Sequence, residues 1–165
     1  MIVGRLCNHG TAIRSTYFVR FLSDFSKIMT IKEGAASVIL PEGVFYNPVQ
    51  EFNRDLTIAV MKHYAKMHLQ EFIEKGIKKA NNNTVLPEPS MYRGLAVLEA
   101  LAASGLRSVR FAQEVPLLSR VVSNDLDPEA VKMITENAKM NTVDDIIEPS
   151  CADAVRLMHD SVKDR

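Results

Sequence analysis

Hydrophobic and polar positions change their period twice in the middle of the chain. Residues 95–101 form a near-continuous apolar run, which is typical of a parallel strand buried on both faces. The small residues that follow allow a ligand to approach the backbone closely. Residues 106–114 then have helical spacing, and residues 120–123 form a short apolar run that ends at Asn124-Asp125. The pattern predicts a strand, a tight turn, a helix and a second strand.

The segment before this unit predicts a hairpin and a long helix. A glycine-centred break interrupts the apolar residues of 30–40, as in a short β-hairpin or an extended arm. Asn47 is a good N-cap and Pro48 suits the first helical position, so we expect one amphipathic helix from there to about Phe72. Gly76 is the expected stop. The predicted apolar face of this helix includes Val49, Phe52, Leu56, Val60, Tyr64 and Met67.

The alternation of strand and helix continues after the second strand. A helix is predicted to begin at Pro128, with Asp127 as its cap, and residues 146–147 begin a third short strand. That strand leads into another turn and a further helix. Alternating strands and helices predict an α/β fold, a parallel sheet with right-handed crossovers and helices on its faces.

The turns after the three predicted strands carry the candidate binding residues. Ligands bind such sheets at the carboxyl ends of the strands, so we expect Ser104-Gly105, Asp125 and Asp153 along one rim. Asp125 follows the small-residue turn by about 20 residues, where nucleotide-type ligands present ribose hydroxyls. Asp153 has a second interpretation, as the N-cap of the helix that follows it.

Composition fits an ordinary globular domain and argues against several classes of protein. The chain has 165 residues, of which 47% are hydrophobic and 24% charged. Its formal net charge is zero, so the charge balance gives no sign of nucleic-acid binding. The two cysteines, Cys7 and Cys151, provide neither a disulfide framework nor a metal-ligand set. No apolar run approaches the length of a membrane span.

Residues 1–29 are predicted to be a separate N-terminal extension. They are rich in arginine, serine and threonine and contain one acid, Asp24, with apolar positions that fit one stripe of a helix. This combination is typical of a mitochondrial transit peptide, although a variable extension or an alternative start explains it as well. Residues 30–165 are expected to form the folded domain, with residues 77–93, rich in asparagine and proline, as a variable loop.

Two strings of residues resemble one known family. The string LEALAASGLRSVRF at 98–111, with Asn124-Asp125 after it, resembles the first cofactor motifs of the Trm1 family, which are tRNA (guanine-26-N2)-dimethyltransferases. The string VFYNPVQEFNRD at 44–55 resembles the other signature of that family. The resemblance covers roughly residues 33–160. It implies the first half of a Rossmann-like class I S-adenosylmethionine-dependent methyltransferase sheet, preceded by a short β arm and an amphipathic helix.

The resemblance also implies which residues bind the cofactor, S-adenosylmethionine. Arg54 and Arg107 are expected to reach its methionine carboxylate, which a guanidinium fork matches bidentately. Ser104 and Gly105 allow backbone approach, and Asp125 accepts from the ribose hydroxyls. From the residues alone, the ordinary interpretation of Arg54 is an exposed helical charge pair with Asp55, and the resemblance favours the cofactor contact.

Two further roles follow from the same resemblance. Asp153, with the backbone of Ala154, is expected to read the adenine edge. Phe45 resembles the aromatic residue that holds the target guanine in this family. Alternatively, Phe45 is a core or staple residue that precedes a helix. The chemistry requires neither a metal nor a covalent intermediate. The expected partner is tRNA, in the nucleus, the mitochondrion or the cytoplasm.

No catalytic residue is expected in this chain. The family's acceptor for charge on the exocyclic amine lies in an Asp-Pro-aromatic-Gly motif after the fourth core strand, and the sequence reaches Arg165 before any such motif. The chain therefore resembles an N-terminal piece of the family domain. We expect it to be inactive alone and to leave strand edges unpaired.

Two alternatives belong to other functional classes. A dinucleotide-binding domain is disfavoured because Ala-Ala-Ser-Gly-Leu-Arg lacks the Gly-x-Gly-x-x-Gly spacing that a pyrophosphate needs. A non-enzymatic fragment or truncated isoform that binds RNA or a full-length homologue through the long helix and loop stays open. The sequence does not predict an oligomeric state.

Overall fold

Two small β-sheets, one long helix and several shorter helices make up the described part of the chain. A computed structural model describes residues 28–44, 46–80 and 91–163. Residues 1–27 of the predicted extension, Phe45 and most of the predicted loop lie outside these ranges. The elements follow in the order β1 (Ile28–Glu33), β2 (Ala36–Pro41), a short 3-10 helix (Pro48–Gln50), α1 (Glu51–Ala80), β3 (Leu95–Glu99), α2 (Leu106–Glu114), β4 (Leu118–Asp125), α3 (Pro128–Met140), β5 (Ile147–Cys151) and α4 (Ala154–Lys163).

The predicted parallel sheet is confirmed in the order β3-β4-β5. Val121, in the central strand, pairs with Val97 on one side and with Ile147 on the other. Helices α2 and α3 pack against this sheet and against each other. The core lies between them, where Val109 of α2, Val121 and Ile134 of α3 are fully buried. Burial of apolar side chains from strand and helix together stabilises this layer.

The predicted hairpin is also confirmed. Strands β1 and β2 pair antiparallel, with Ile31 opposite Val38. On β2 the residues Ala36, Val38 and Leu40 are buried, and they alternate with partly exposed residues. This period of two places one face of β2 against α2 and α3.

The end of α1 differs from the prediction. Asn47 caps the short 3-10 helix as expected, since its side chain accepts from the Val49 amide at 3.0 Å. Gly76 does not stop α1, which continues to Ala80. One glycine inside a helix costs about 1 kcal/mol relative to alanine, and the good helix formers around it outweigh that cost.

The predicted apolar face of α1 is not the face that packs. Ile58 and Ala65 are buried, whereas Phe52 is 72% exposed and Val60 58% exposed. The helix therefore carries two apolar stripes, and the protein buries the other one. The exposed stripe consists of Val49 in the preceding 3-10 turn and of Phe52, Leu56, Val60, Tyr64 and Met67. None of the helices in the described ranges is long and apolar enough to cross a membrane.

Candidate functional site

The turns after β3, β4 and β5 are hydrogen-bonded to each other. The Ala102 amide donates to the Asn124 carbonyl at 2.8 Å, and the Ala152 amide donates to the Asp125 carbonyl at 3.2 Å. The structure therefore brings the three predicted turns together at the carboxyl ends of the strands. This edge, formed by residues 100–105, 124–127 and 151–154, is called the rim below.

The buried side chain of Asn124 links two of the turns that form the rim. Its side chain is fully buried, and Nδ2 donates to the carbonyls of Ala100 at 3.0 Å and Ala152 at 2.9 Å. Its Oδ1 is buried without a hydrogen-bond partner in the structure. Sequence reasoning gave this residue no role. The signal was a polar side chain at the end of an apolar strand, which a parallel sheet buries.

Asp125 holds the small-residue turn. Its Oδ2 accepts from the Ala103 amide at 2.8 Å, and its Oδ1 accepts from the Asp127 amide at 3.1 Å. Ala103 and Gly105 both have left-handed backbones, with φ of 50° and 76°. A Cβ on Gly105 would lie 3.2 Å from Cγ1 of Ile134, so glycine fits there without strain. The Asp125 carboxylate is thus held in a fixed orientation and remains partly exposed.

A buried carboxyl lies under the same turn. Glu99, at the end of β3, is 8% exposed and accepts from the Ser108 hydroxyl, whose Oγ lies 2.8 Å from Ser123 Oγ. Burial raises the pKa of Glu99 to about 7, against the opposing effects of Ser108 and Arg107. Glu99 was part of the motif string, but sequence reasoning assigned it no role.

Arg107 lies in the first turn of α2, beside the small-residue turn. Its side chain is 42% exposed, and its Nε is 3.9 Å from Glu99 Oε1. That Nε is buried and has no hydrogen-bond partner in the structure. A buried N–H of this kind is costly unless a ligand or a water accepts from it. Arg107 therefore offers the rim a cation that is not fully satisfied within the protein.

Arg54 lies in a buried ion cluster instead. Glu33 of β1 accepts from Arg54 Nε at 2.7 Å, from Arg54 Nη2 at 2.6 Å and from Arg110 Nη1 at 2.8 Å. The Tyr46 hydroxyl donates to the same carboxylate at 3.1 Å. Burial opposes the charged form of Glu33, but the hydrogen bonds from Arg54 and Arg110 hold its pKa below the ordinary value.

The cluster leaves Arg54 little freedom. Glu33 takes the Nε and Nη2 edge of the guanidinium, and Nη2 also donates to the Asn47 carbonyl at 3.2 Å. A ligand carboxylate would have to use the remaining Nη1 edge. Arg110 extends the cluster to Asp55 at 2.7 Å and to Glu114 at 2.8 Å.

The remaining predicted site residues have local roles in the structure. Asp153 caps α4, because its Oδ1 accepts from the Arg156 amide at 2.9 Å, and Ala154 is the first residue of that helix. Asp127 caps α3 as predicted, accepting from the Glu129 amide at 2.9 Å. Within the described ranges, no group of three or more His, Cys, Asp or Glu could hold a metal ion.

Comparison with solved structures supports the Rossmann-like α/β fold. A complex of Trm1 from Pyrococcus horikoshii with S-adenosyl-L-methionine is similar with a TM-score of 0.57 and 24% identity, covering 79% of this chain and 32% of that chain. A SAM-dependent methyltransferase from Agrobacterium tumefaciens has a TM-score of 0.57 and 13% identity, covering 84% and 36%. These similarities confirm the predicted fold.

Sequence comparison then identifies the family. The family model for N2,N2-dimethylguanosine tRNA methyltransferase matches residues 26–165, so the chain belongs to this family. A tRNA (guanine(26)-N(2))-dimethyltransferase of Drosophila melanogaster is 43% identical over 146 residues, which cover 78% of this chain and 25% of the relative. A mitochondrial one of Saccharomyces cerevisiae is 35% identical over 158 residues, covering 78% and 27%. The chain thus spans about a quarter of the length of these curated relatives.

Proposed function

We propose that this chain provides the S-adenosylmethionine-binding part of a tRNA (guanine-26-N2)-dimethyltransferase. The observation that carries the proposal is the rim, where Asp125 fixes the Ala103 backbone and Arg107 keeps an unsatisfied N–H. In open α/β sheets, ligands bind at this edge. Family membership selects the cofactor class. When bound, S-adenosylmethionine supplies an activated methyl group for the N2 amine of guanine.

Asp125 is proposed to accept from the ribose hydroxyls. Each of its oxygens already accepts one backbone N–H, and an ionised carboxylate has about four acceptor sites. Two directions therefore remain for hydroxyl donors, and the carboxylate does not have to be reoriented when they bind. The turn at Ser104 and Gly105 carries only small side chains, and Ala103 and Gly105 have left-handed backbones, so a ligand can approach the backbone there.

The methionine carboxylate is proposed to bind Arg107, with Arg54 as a second donor. Arg107 is partly exposed and adjoins the turn, so its guanidinium can donate to an anion there. Arg54 would contribute through Nη1 while Glu33 holds the other edge of its fork. Asp153 and the Ala154 backbone are proposed to read the adenine edge, and Phe45 to hold the target guanine.

The partner proposed for this site is tRNA, and the products are mono- and dimethylated guanine at position 26. No residue of this sequence is assigned to catalysis, because the Asp-Pro-aromatic-Gly motif expected to accept the amine charge does not occur in it. We further propose that residues 30–165 form the partial methyltransferase domain, together with Ile28 and Met29, which belong to β1. The residues before β1 would direct it to the mitochondrion, and the nucleus and the cytoplasm are the other locations proposed.

A second candidate function is association without catalysis. The exposed apolar stripe of α1 is the observation that favours it, because contiguous exposed apolar surface marks contact sites. The fragment would then bind a full-length homologue through α1. Elution of the purified chain as a monomer, with no homologue or RNA attached, would count against this candidate.

Titration calorimetry with S-adenosylmethionine tests the main proposal. We expect binding by the full chain, at least about tenfold weaker binding by Asp125→Ala, and binding within about twofold of wild type by Asp145→Ala. Asp145 is an exposed acid away from the rim and serves as the control. A folded wild-type chain that gives no binding overturns the proposal. Equal losses in both variants overturn the role of Asp125.

A further inference from the structure

Two asparagines of α3 pair with the backbone of β2. Asn137 accepts from the Ile39 amide at 2.8 Å and donates to the Ile39 carbonyl at 3.2 Å. Asn141 accepts from the Ser37 amide at 3.0 Å and donates to the Ser37 carbonyl at 2.6 Å. Helix residues four apart rise by ~6 Å, and strand residues two apart by ~6.7 Å. The two side-chain amides therefore match the edge of β2 as a neighbouring strand would.

Only Asn137 also reaches the rim. Its side chain is 1% exposed, and the second hydrogen of Nδ2 donates to the Ser104 carbonyl at 2.9 Å. The same peptide unit is held at its other end, because the Gly105 amide donates to the Ala102 carbonyl at 2.8 Å. Ile134, one turn earlier on α3, lies against Gly105. Both polar groups of the peptide between Ser104 and Gly105 are thus fixed.

We propose that Asn137 is a positioning residue for the cofactor turn. Asn137 donates to the Ser104 carbonyl and thereby fixes the orientation of the Ser104–Gly105 peptide. This peptide lies in a turn where Ala103 and Gly105 have left-handed backbones. The Asn137 side chain is anchored to Ile39, so the β1–β2 hairpin and the rim are joined through one buried amide. The inference rests on the proposed cofactor site and adds to it a residue that does not touch the cofactor.

The test compares Asn137→Ala with Asn141→Ala. Each substitution removes a side-chain amide that pairs with β2, but only Asn137→Ala removes a contact with the rim. We expect Asn137→Ala to speed hydrogen exchange of the Gly105 amide about tenfold and to weaken S-adenosylmethionine binding about tenfold. Asn141→Ala should leave both within about twofold, and thermal unfolding of both variants measures the loss of stability that they share.

The outcomes separate this inference from the proposed function. Wild-type protein that does not bind S-adenosylmethionine overturns the proposed function, while the exchange comparison still tests the Asn137 contact. Equal changes in both variants, or unchanged exchange at Gly105 in Asn137→Ala, overturn the positioning role.

A measurement on the wild-type protein covers the case in which Asn137→Ala does not fold. The side-chain amide hydrogens of Asn137 should exchange far more slowly than those of Asn53, which lies exposed on α1. Equal exchange rates would show that the buried contact is absent.

Discussion

The Glu33 carboxylate and the Arg54 guanidinium form a buried pair in which Nη2 lies 2.6 Å from Oε2. Arg110 contacts the same carboxylate and also pairs with Asp55 and Glu114, so one acid bridges two buried cations from different helices. Removing the acid would leave both guanidinium groups without their central partner. The Glu33 carboxylate therefore joins β1 to both α1 and α2.

We predict that Glu33→Gln lowers the free energy of unfolding by about 3 kcal/mol, because breaking a buried pair leaves an uncompensated buried charge. The control is Glu148→Gln, whose pair with Arg120 has a similar length of 2.7 Å but lies on the surface. There we expect about 0.5 kcal/mol or less. Urea unfolding at pH 7 measures both. Equal effects would mean that burial does not strengthen the Glu33 pair.

The buried carboxyl of Glu99 predicts a pH dependence of stability. Burial raises the pKa of Glu99 to about 7 from its ordinary value of 4.5, so the folded state binds this proton more tightly than the unfolded state. Stability from this group is fully present below pH 4.5 and is lost as pH rises through about 7. A shift of this size corresponds to roughly 3 kcal/mol as an upper figure.

Glu99→Gln should remove that dependence. Urea unfolding of both proteins at pH 5 and pH 8 measures it, and the difference between the proteins cancels the titration of the histidines. We expect wild type to lose more stability than the variant over this interval. Parallel pH profiles would show that Glu99 titrates at its ordinary value.

Arg107 predicts a selective loss of cofactor affinity. Arg107→Gln should weaken S-adenosylmethionine binding about tenfold or more, because a charged hydrogen bond contributes about 1.5–3 kcal/mol. Binding of 5′-methylthioadenosine, which lacks the methionine carboxylate, should not change. Arg120→Gln is the control, since Arg120 pairs with Glu148 on the surface. Loss of affinity for both ligands would place the defect outside carboxylate recognition.

The two stripes of α1 predict opposite results for neighbouring positions. Ile58→Ala should cost about 2–4 kcal/mol, because the side chain is 2% exposed and its removal leaves a cavity. Leu56→Ala should stay within about 0.5 kcal/mol, because Leu56 is 54% exposed. The free energies of unfolding of the two variants in urea show which face of α1 is packed. A larger loss at Leu56 would mean that the exposed stripe is covered in solution.

Elements with strong local signals could be predicted from the sequence. The Asp127-Pro128 start of α3 and the span of α2 both agree with the structure, because capping and helical periodicity act over a few residues. The position of the rim could also be predicted, because the carboxyl ends of parallel strands lie at one edge of the sheet. The face of α1 that packs could not be predicted, because Phe52 and Ile58 belong to two apolar stripes of the same helix.

Contacts between distant residues left no local signal. Glu33 and Arg110 lie 77 positions apart, and Asn137 and Ile39 lie 98 apart. A pattern based on neighbouring positions does not relate such pairs, so Glu33 and Asn137 were missed. The same limit applies to Arg54, whose fork suits a ligand carboxylate and a protein carboxylate equally well.

The hydrogen bonds that join the three turns of the rim all lie between residues 100 and 152. During synthesis, which adds about 5–20 residues per second, this segment leaves the ribosome within seconds of β3. These contacts of the rim can therefore form without residues beyond 152. A ligand that binds the folded rim would stabilise it at that stage by mass action.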